Sequence, residues 1–113
     1  MPDPTSSPDP AALRDALRAH VTDLLGEDDP DFVAELAATF CDSASALVAT
    51  ARTAAAAGDT AALRSAAHQM RGSALNVGLA DLAEAWTRVE HGQDASPEAA
   101  LAATERAVEA MAC

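Results

Sequence analysis

The sequence predicts an all-α protein: an antiparallel four-helix bundle running up-down-up-down, with an additional N-terminal helix. Three observations predict it. Apolar residues recur at helical spacing in five separate stretches. Proline or an acidic cap opens these stretches, and glycine closes most of them. β-branched residues nowhere alternate over a useful length, so no strand is expected. The 113 residues suffice for one domain with a modest core. Half of them are hydrophobic and only 3% aromatic, with no Tyr, so the core must be Ala, Leu and Val. Such a composition suits helices packed closely together.

Residues 1–8 carry three prolines among Asp, Thr and Ser and predict a disordered lead; a single domain then spans 9–113. Asp9-Pro10 places an N-cap before a proline at the first helical position. Leu13, Ala16, Leu17, His20, Val21 and Leu24 form one stripe, so the first helix runs to about Leu25 and stops at Gly26. His20 falls on that stripe and is expected to be partly buried and hydrogen-bonded. Glu27-Asp28-Asp29-Pro30 opens a second helix. It carries Phe32, Val33, Leu36, Phe40, Cys41, Leu47, Val48 and Ala51, continues toward Ala57 and stops at Gly58. Asp59 caps a third, from Thr60 to about Leu75, whose seam is Leu63, Ala67, Met70, Ala74 and, just beyond, Val77. After a turn at 76–78, a fourth runs from about Leu79 to Glu90 on a seam of Leu79, Leu82, Ala83, Trp86 and Val89, ending at His91-Gly92. His91 reads as a cation-prone residue at a helix C-terminus. A loop at 93–95 leads to Ser96-Pro97-Glu98, another cap with proline. The fifth helix follows, with Leu101, Thr104, Ala107 or Val108, and Met111. Short loops between consecutive helices predict antiparallel neighbours.

The net charge is −11, every basic side chain is Arg, and the pI is near 4.3. That balance argues against nucleic acid and anionic membrane surfaces as partners, and favours a protein partner. Cys41 and Cys113 show no metal-binding spacing. Cys41 is expected to be a small core residue and Cys113 a frayed terminus. No run of about 18 apolar residues and no signal peptide is read, so the expected location is cytoplasmic.

One stretch breaks the pattern. Ala66-Ala67-His68-Gln69-Met70-Arg71-Gly72-Ser73-Ala74 is helical in character, yet contains a glycine, in a chain that uses Ala at almost every small position. A glycine inside a helix costs roughly 1 kcal/mol against Ala. Gly72 lies one turn after His68 on the same face, turned away from the seam, with Arg64 and Arg71 flanking the histidine. The expectation is an exposed imidazole beside a turn kept bare because something must approach it. The register of the hairpin adds a partner. His68 precedes Gly78 by ten residues and Glu90 follows it by twelve. At 1.5 Å per residue both lie roughly 15 Å from the turn, hence at one level. Glu90 is either the acceptor for the Nδ1–H of His68 or an exposed acid at a helix end that pairs with nothing.

The run His68-Gln69-Met70-Arg71-Gly72-Ser73-Ala74-Leu75-Asn76-Val77-Gly78, followed by Leu82 and Glu90, resembles the signature of histidine-containing phosphotransfer (HPt) domains. The match is dense over roughly residues 60–90. Two departures stand out: Arg71 replaces the usual Lys, and Trp86 occupies a place where the family carries a smaller residue, often Cys. The resemblance implies a phosphorelay protein in which His68 accepts a phosphoryl group from, and passes it to, a receiver-domain aspartate of a two-component system, with a sensor histidine kinase upstream. It implies a docking surface of Arg64, Gln69, Gly72, Ser73 and Leu75 around His68. A Glu90 bond would fix the tautomer and leave Nε2 as nucleophile. Phosphorylation would add nearly two negative charges, which Arg71 and Arg64 are placed to stabilise. No nucleotide loop and no carboxylate cluster for Mg²⁺ is present, so the chain is expected to need no cofactor of its own and to be a carrier, not an enzyme. Mg²⁺ is expected on the partner receiver domain. Two other readings stand beside this one: an HPt-like interaction module without phosphotransfer, and a metal-binding bundle using His20, Cys41 and His91.

Overall fold

Proline and glycine set the helix limits. The computed structural model describes residues 10–93 and 97–112. They form α1 (Pro10–Leu25), α2 (Pro30–Ala57), α3 (Thr60–Asn76), α4 (Ala80–Glu90) and α5 (Glu98–Ala112). The expected lead at 1–8, the caps at Asp9 and Ser96, most of the 93–95 loop and Cys113 lie outside the described residues. No strand occurs among those described. Asp29 caps α2 by accepting from the Phe32 N–H at 3.1 Å, and Asp59 caps α3 by accepting from Ala62 at 3.0 Å. Helix ends differ from expectation by one residue at most where the turn between α3 and α4 tightens: α3 includes Asn76, and Leu79 precedes α4.

The helices α2, α3, α4 and α5 pack each against the next, and α5 closes on α2; α1 packs on α5 and α2. Cys41 meets Val108 while Arg52 meets Glu98 and Glu105, so α2 and α5 pass in opposite directions. The core line of α2 is Ala37, Phe40, Ala44, Ala51 and Ala54; the larger Phe32, Val33, Leu36, Leu47 and Val48 pack beside it, half-buried. Alanine occupies the closest approach because only a small side chain fits there, and bulk is displaced to the flanks. Trp86 is fully buried, and its indole N–H donates to Thr104 Oγ1 at 2.8 Å. Thr104 in turn donates to the Ala100 carbonyl at 2.8 Å. A buried indole requires such an acceptor, and Thr104 is what accommodates Trp86.

Three expectations are corrected. Leu24 belongs to the α1 stripe by spacing but is 64% exposed, and Ala16 is exposed as well. Among the described side chains of α1 only Leu17 and Val21 bury fully, and its last turn leaves Leu24 and Leu25 exposed. His20 is half-buried but has no hydrogen-bond partner among the described residues; its ring instead lies on Gly78, where an added Cβ would stand 2.7 Å from His20 Cβ. Finally, α2 is long and apolar enough to cross a membrane by length and composition. Its apolar character comes from alanine, Asp42 and the ion-paired Arg52 interrupt it, and its core line faces α3 and α5, so we read it as a bundle helix.

Candidate functional site at His68

The orientation of His68 follows from what α3 buries. Ala66, Ala67, Met70 and Ala74 face the core, which turns His68, Gln69, Gly72 and Leu75 outward. The imidazole side chain is 69% exposed. Gly78 closes α3: its φ is +74°, its N–H donates to Leu75, and the next N–H, of Leu79, donates to Ala74. This paired closure requires a left-handed residue and reverses the chain sharply. The reversal lays α4 back along α3.

Glu90 consequently arrives at the level of His68. Its Oε1 and Oε2 lie 3.1 and 3.0 Å from His68 Nδ1, and its side chain is only 16% exposed. A carboxylate only accepts, so Nδ1 carries a proton, and in the neutral ring the lone pair is then on Nε2. The alternative of a solitary exposed acid is thereby removed. Glu90 is partly desolvated, and the imidazole N–H together with Arg71 meets its need for donors.

Arg71 Nη1 stands 3.8 Å from Glu90 Oε1, the oxygen that also faces Nδ1. Arg71 therefore sits on the Nδ1 edge of the ring. Arg64, one turn before His68, reaches across to the exit of α4. Its Nη2 would stand 3.3 Å from a Cβ at Gly92. Gly92 has φ +69°, and the N–H groups of Gly92 and Gln93 close α4 onto Val89 and Arg88. Gly72 has ordinary helical backbone, and a Cβ added there meets nothing within 4 Å. Neither conformation nor internal packing calls for glycine at this position. Gln69 is exposed, Ser73 half-buried and Leu75 48% exposed.

Other reactive groups stand apart. Cys41 is half-buried and its Sγ lies 3.5 Å from the Val108 carbonyl. Burial, and secondarily the Asp42 carboxylate, push its thiol above the ordinary range, which disfavours the reactive thiolate. No group of three His, Cys, Asp or Glu among the described residues is arranged to hold a metal. His20, Cys41 and His91 are not brought together, which removes the metal-bundle reading built on them.

The Arg71–Glu90 pair, the approach of Arg64 to Gly92 and the seat of His20 on Gly78 do not follow from residue spacing. The last two had a signal, a glycine just past a helix end, but not one that names the visiting side chain. In comparison with known proteins, a family model described as the Hpt domain matches residues 35–112, from α2 to the end of α5. No curated protein and no solved structure matches the chain.

Proposed function

Because the chain belongs to the Hpt domain family, whose members carry phosphoryl groups in two-component phosphorelays, we propose that His68 is its phosphoacceptor. The observation that carries this reading is the His68–Glu90 contact: a carboxylate on Nδ1 of an exposed imidazole, which in the neutral ring leaves the Nε2 lone pair for attack. In the proposed reaction the Nε2 lone pair attacks the phosphorus of an aspartyl phosphate on a receiver domain. The P–O bond breaks and its electron pair returns to the aspartate. The Nδ1 proton stays in place, and Glu90 offsets the positive charge that forms on the ring. The same path in reverse passes the group on. Mg²⁺ and the acid residues belong to the receiver domain, and a sensor histidine kinase supplies the relay. The chain contributes the nucleophile, its orientation and a landing surface of Arg64, Gln69, Gly72, Ser73 and Leu75. Arg71 steadies Glu90. The bare turn at Gly72 supports docking at this face, since nothing within the molecule fills it.

The test uses labelled phospho-receiver domain and purified protein. The expected outcome is transfer of an acid-labile, base-stable label to this chain, abolished in His68→Gln while helicity is retained. Label retained in His68→Gln would remove His68 from the role. Binding of the receiver without transfer would support an interaction module instead.

A further inference from the structure

We propose that the two arginines flanking His68 divide their work: Arg64 is the cation that binds the phosphoryl group, and Arg71 is a positioning residue for Glu90. The proposal rests on His68 as the acceptor and assigns what that reading leaves shared.

The division follows from which edge of the ring each guanidinium serves. Arg71 faces Glu90 Oε1, which itself contacts Nδ1. The phosphoryl group would attach at the other nitrogen. A phosphoryl group brings between one and two negative charges close to the Glu90 carboxylate. Arg71 alone offsets little more than Glu90, so a second cation is required. Five of the seven arginines are engaged: Arg14 with the Ala110 carbonyl, Arg18 with Asp28, Arg52 with Glu98 and Glu105, Arg71 with Glu90, Arg88 with Glu84. Among the described residues, Arg64 and Arg106 have no carboxylate within ion-pair distance. Arg106 lies on α5 beside Leu13 and Leu82, away from this face. Arg64 is thus the uncommitted cation one turn from the nucleophile, in a chain with 18 acidic and 7 basic residues.

Its placement is also prepared. The guanidinium lies over the exit of α4, where Gly92 leaves room and the negative end of the helix favours a cation. Arg64 stands one helical turn before His68, and no carboxylate among the described residues neutralises it.

The experiment needs no partner protein. Phosphoramidate is the donor for the 113-residue chain, and the expected step is attack of Nε2 on phosphorus, with the donor's P–N bond breaking and ammonia leaving. The ³¹P resonance absent from His68→Gln identifies phospho-His68 among the three histidines, and its shift is followed with pH. Arg64→Gln is expected to raise the second ionisation of the phosphoryl group by about half a pH unit, the size of an exposed ion pair. Arg64→Lys is expected to keep most of the wild-type value. Arg71→Gln is expected to move that ionisation less and, in the unphosphorylated protein, to loosen the Glu90 contact with Nδ1, seen in ring ¹⁵N spectra as a mixture of tautomers where the wild type holds one. A phosphoryl shift in Arg71→Gln equal to or larger than that in Arg64→Gln overturns the division while leaving His68 as acceptor. A wild-type protein with no phospho-His68 resonance overturns the acceptor reading and this proposal with it.

Discussion

Glu90 decides which nitrogen of a neutral His68 ring carries the proton. An exposed histidine on its own exchanges tautomers and offers either nitrogen; a carboxylate 3.0 Å from Nδ1 leaves one nitrogen available and turns it outward. Cys41 is the opposite case, a reactive group kept quiet. Its folded thiol ionises above the ordinary range, by burial first and Asp42 second. The unfolded chain therefore loses this proton at lower pH than the folded one. Stability from this source is fully present below the ordinary thiol pKa of about 8.5 and is lost as pH rises toward the folded value. Urea midpoints are expected to fall from about pH 8.5 upward in the wild type, and to fall less in Cys41→Ala. Equal slopes in the two proteins would mean that Cys41 does not carry this pH dependence. The imidazole–carboxylate pair was legible in the sequence because helix rise and chain reversal fix backbone level. The ends of Arg64 and Arg71 were not, since a long flexible side chain has several rotamers and its neighbours choose among them.

At the scale of the element, two glycines of the α3–α4 hairpin do opposite things. Gly78 is needed by the fold: its backbone is left-handed and His20 lies against it. Gly78→Ala is expected to lower stability by about 2 kcal/mol, from backbone strain and overpacking together. Gly72 is not needed by the fold. Gly72→Ala is expected to raise stability by about 0.5–1 kcal/mol, because a helical alanine replaces a glycine in open space. Gly72→Gln is expected to slow transfer from the phospho-receiver, although it too should be tolerated in the isolated chain. Urea unfolding and transfer rates check the pair. A Gly72→Ala protein less stable than wild type would point to an internal need for glycine, and unimpaired transfer in Gly72→Gln would contradict the docking role. Helix limits were readable to within a residue because proline, aspartate and glycine act locally. The α1 stripe misled at Leu24 because periodicity gives the facing of a helix, not where its neighbours end.

For the whole molecule, charge is the dominant fact. With a net charge of −11, repulsion among acidic side chains outweighs the few surface ion pairs. Raising NaCl from low salt to about 0.5 M is expected to raise Tm by roughly 2–5 °C, as measured by circular dichroism. A fall in Tm would mean that the arginine pairs contribute more than the repulsion costs. The all-helical class followed from pattern alone, whereas the seating of α1 did not, since it depends on which distant residues meet. That seating has a temporal corollary. The ring of His20 rests on Gly78, a position made 58 residues later during synthesis. On the ribosome α1 emerges before its seat is complete: the α3–α4 reversal must leave the exit tunnel to meet His20, and α1 stays incompletely covered until α5, against which it packs, has followed.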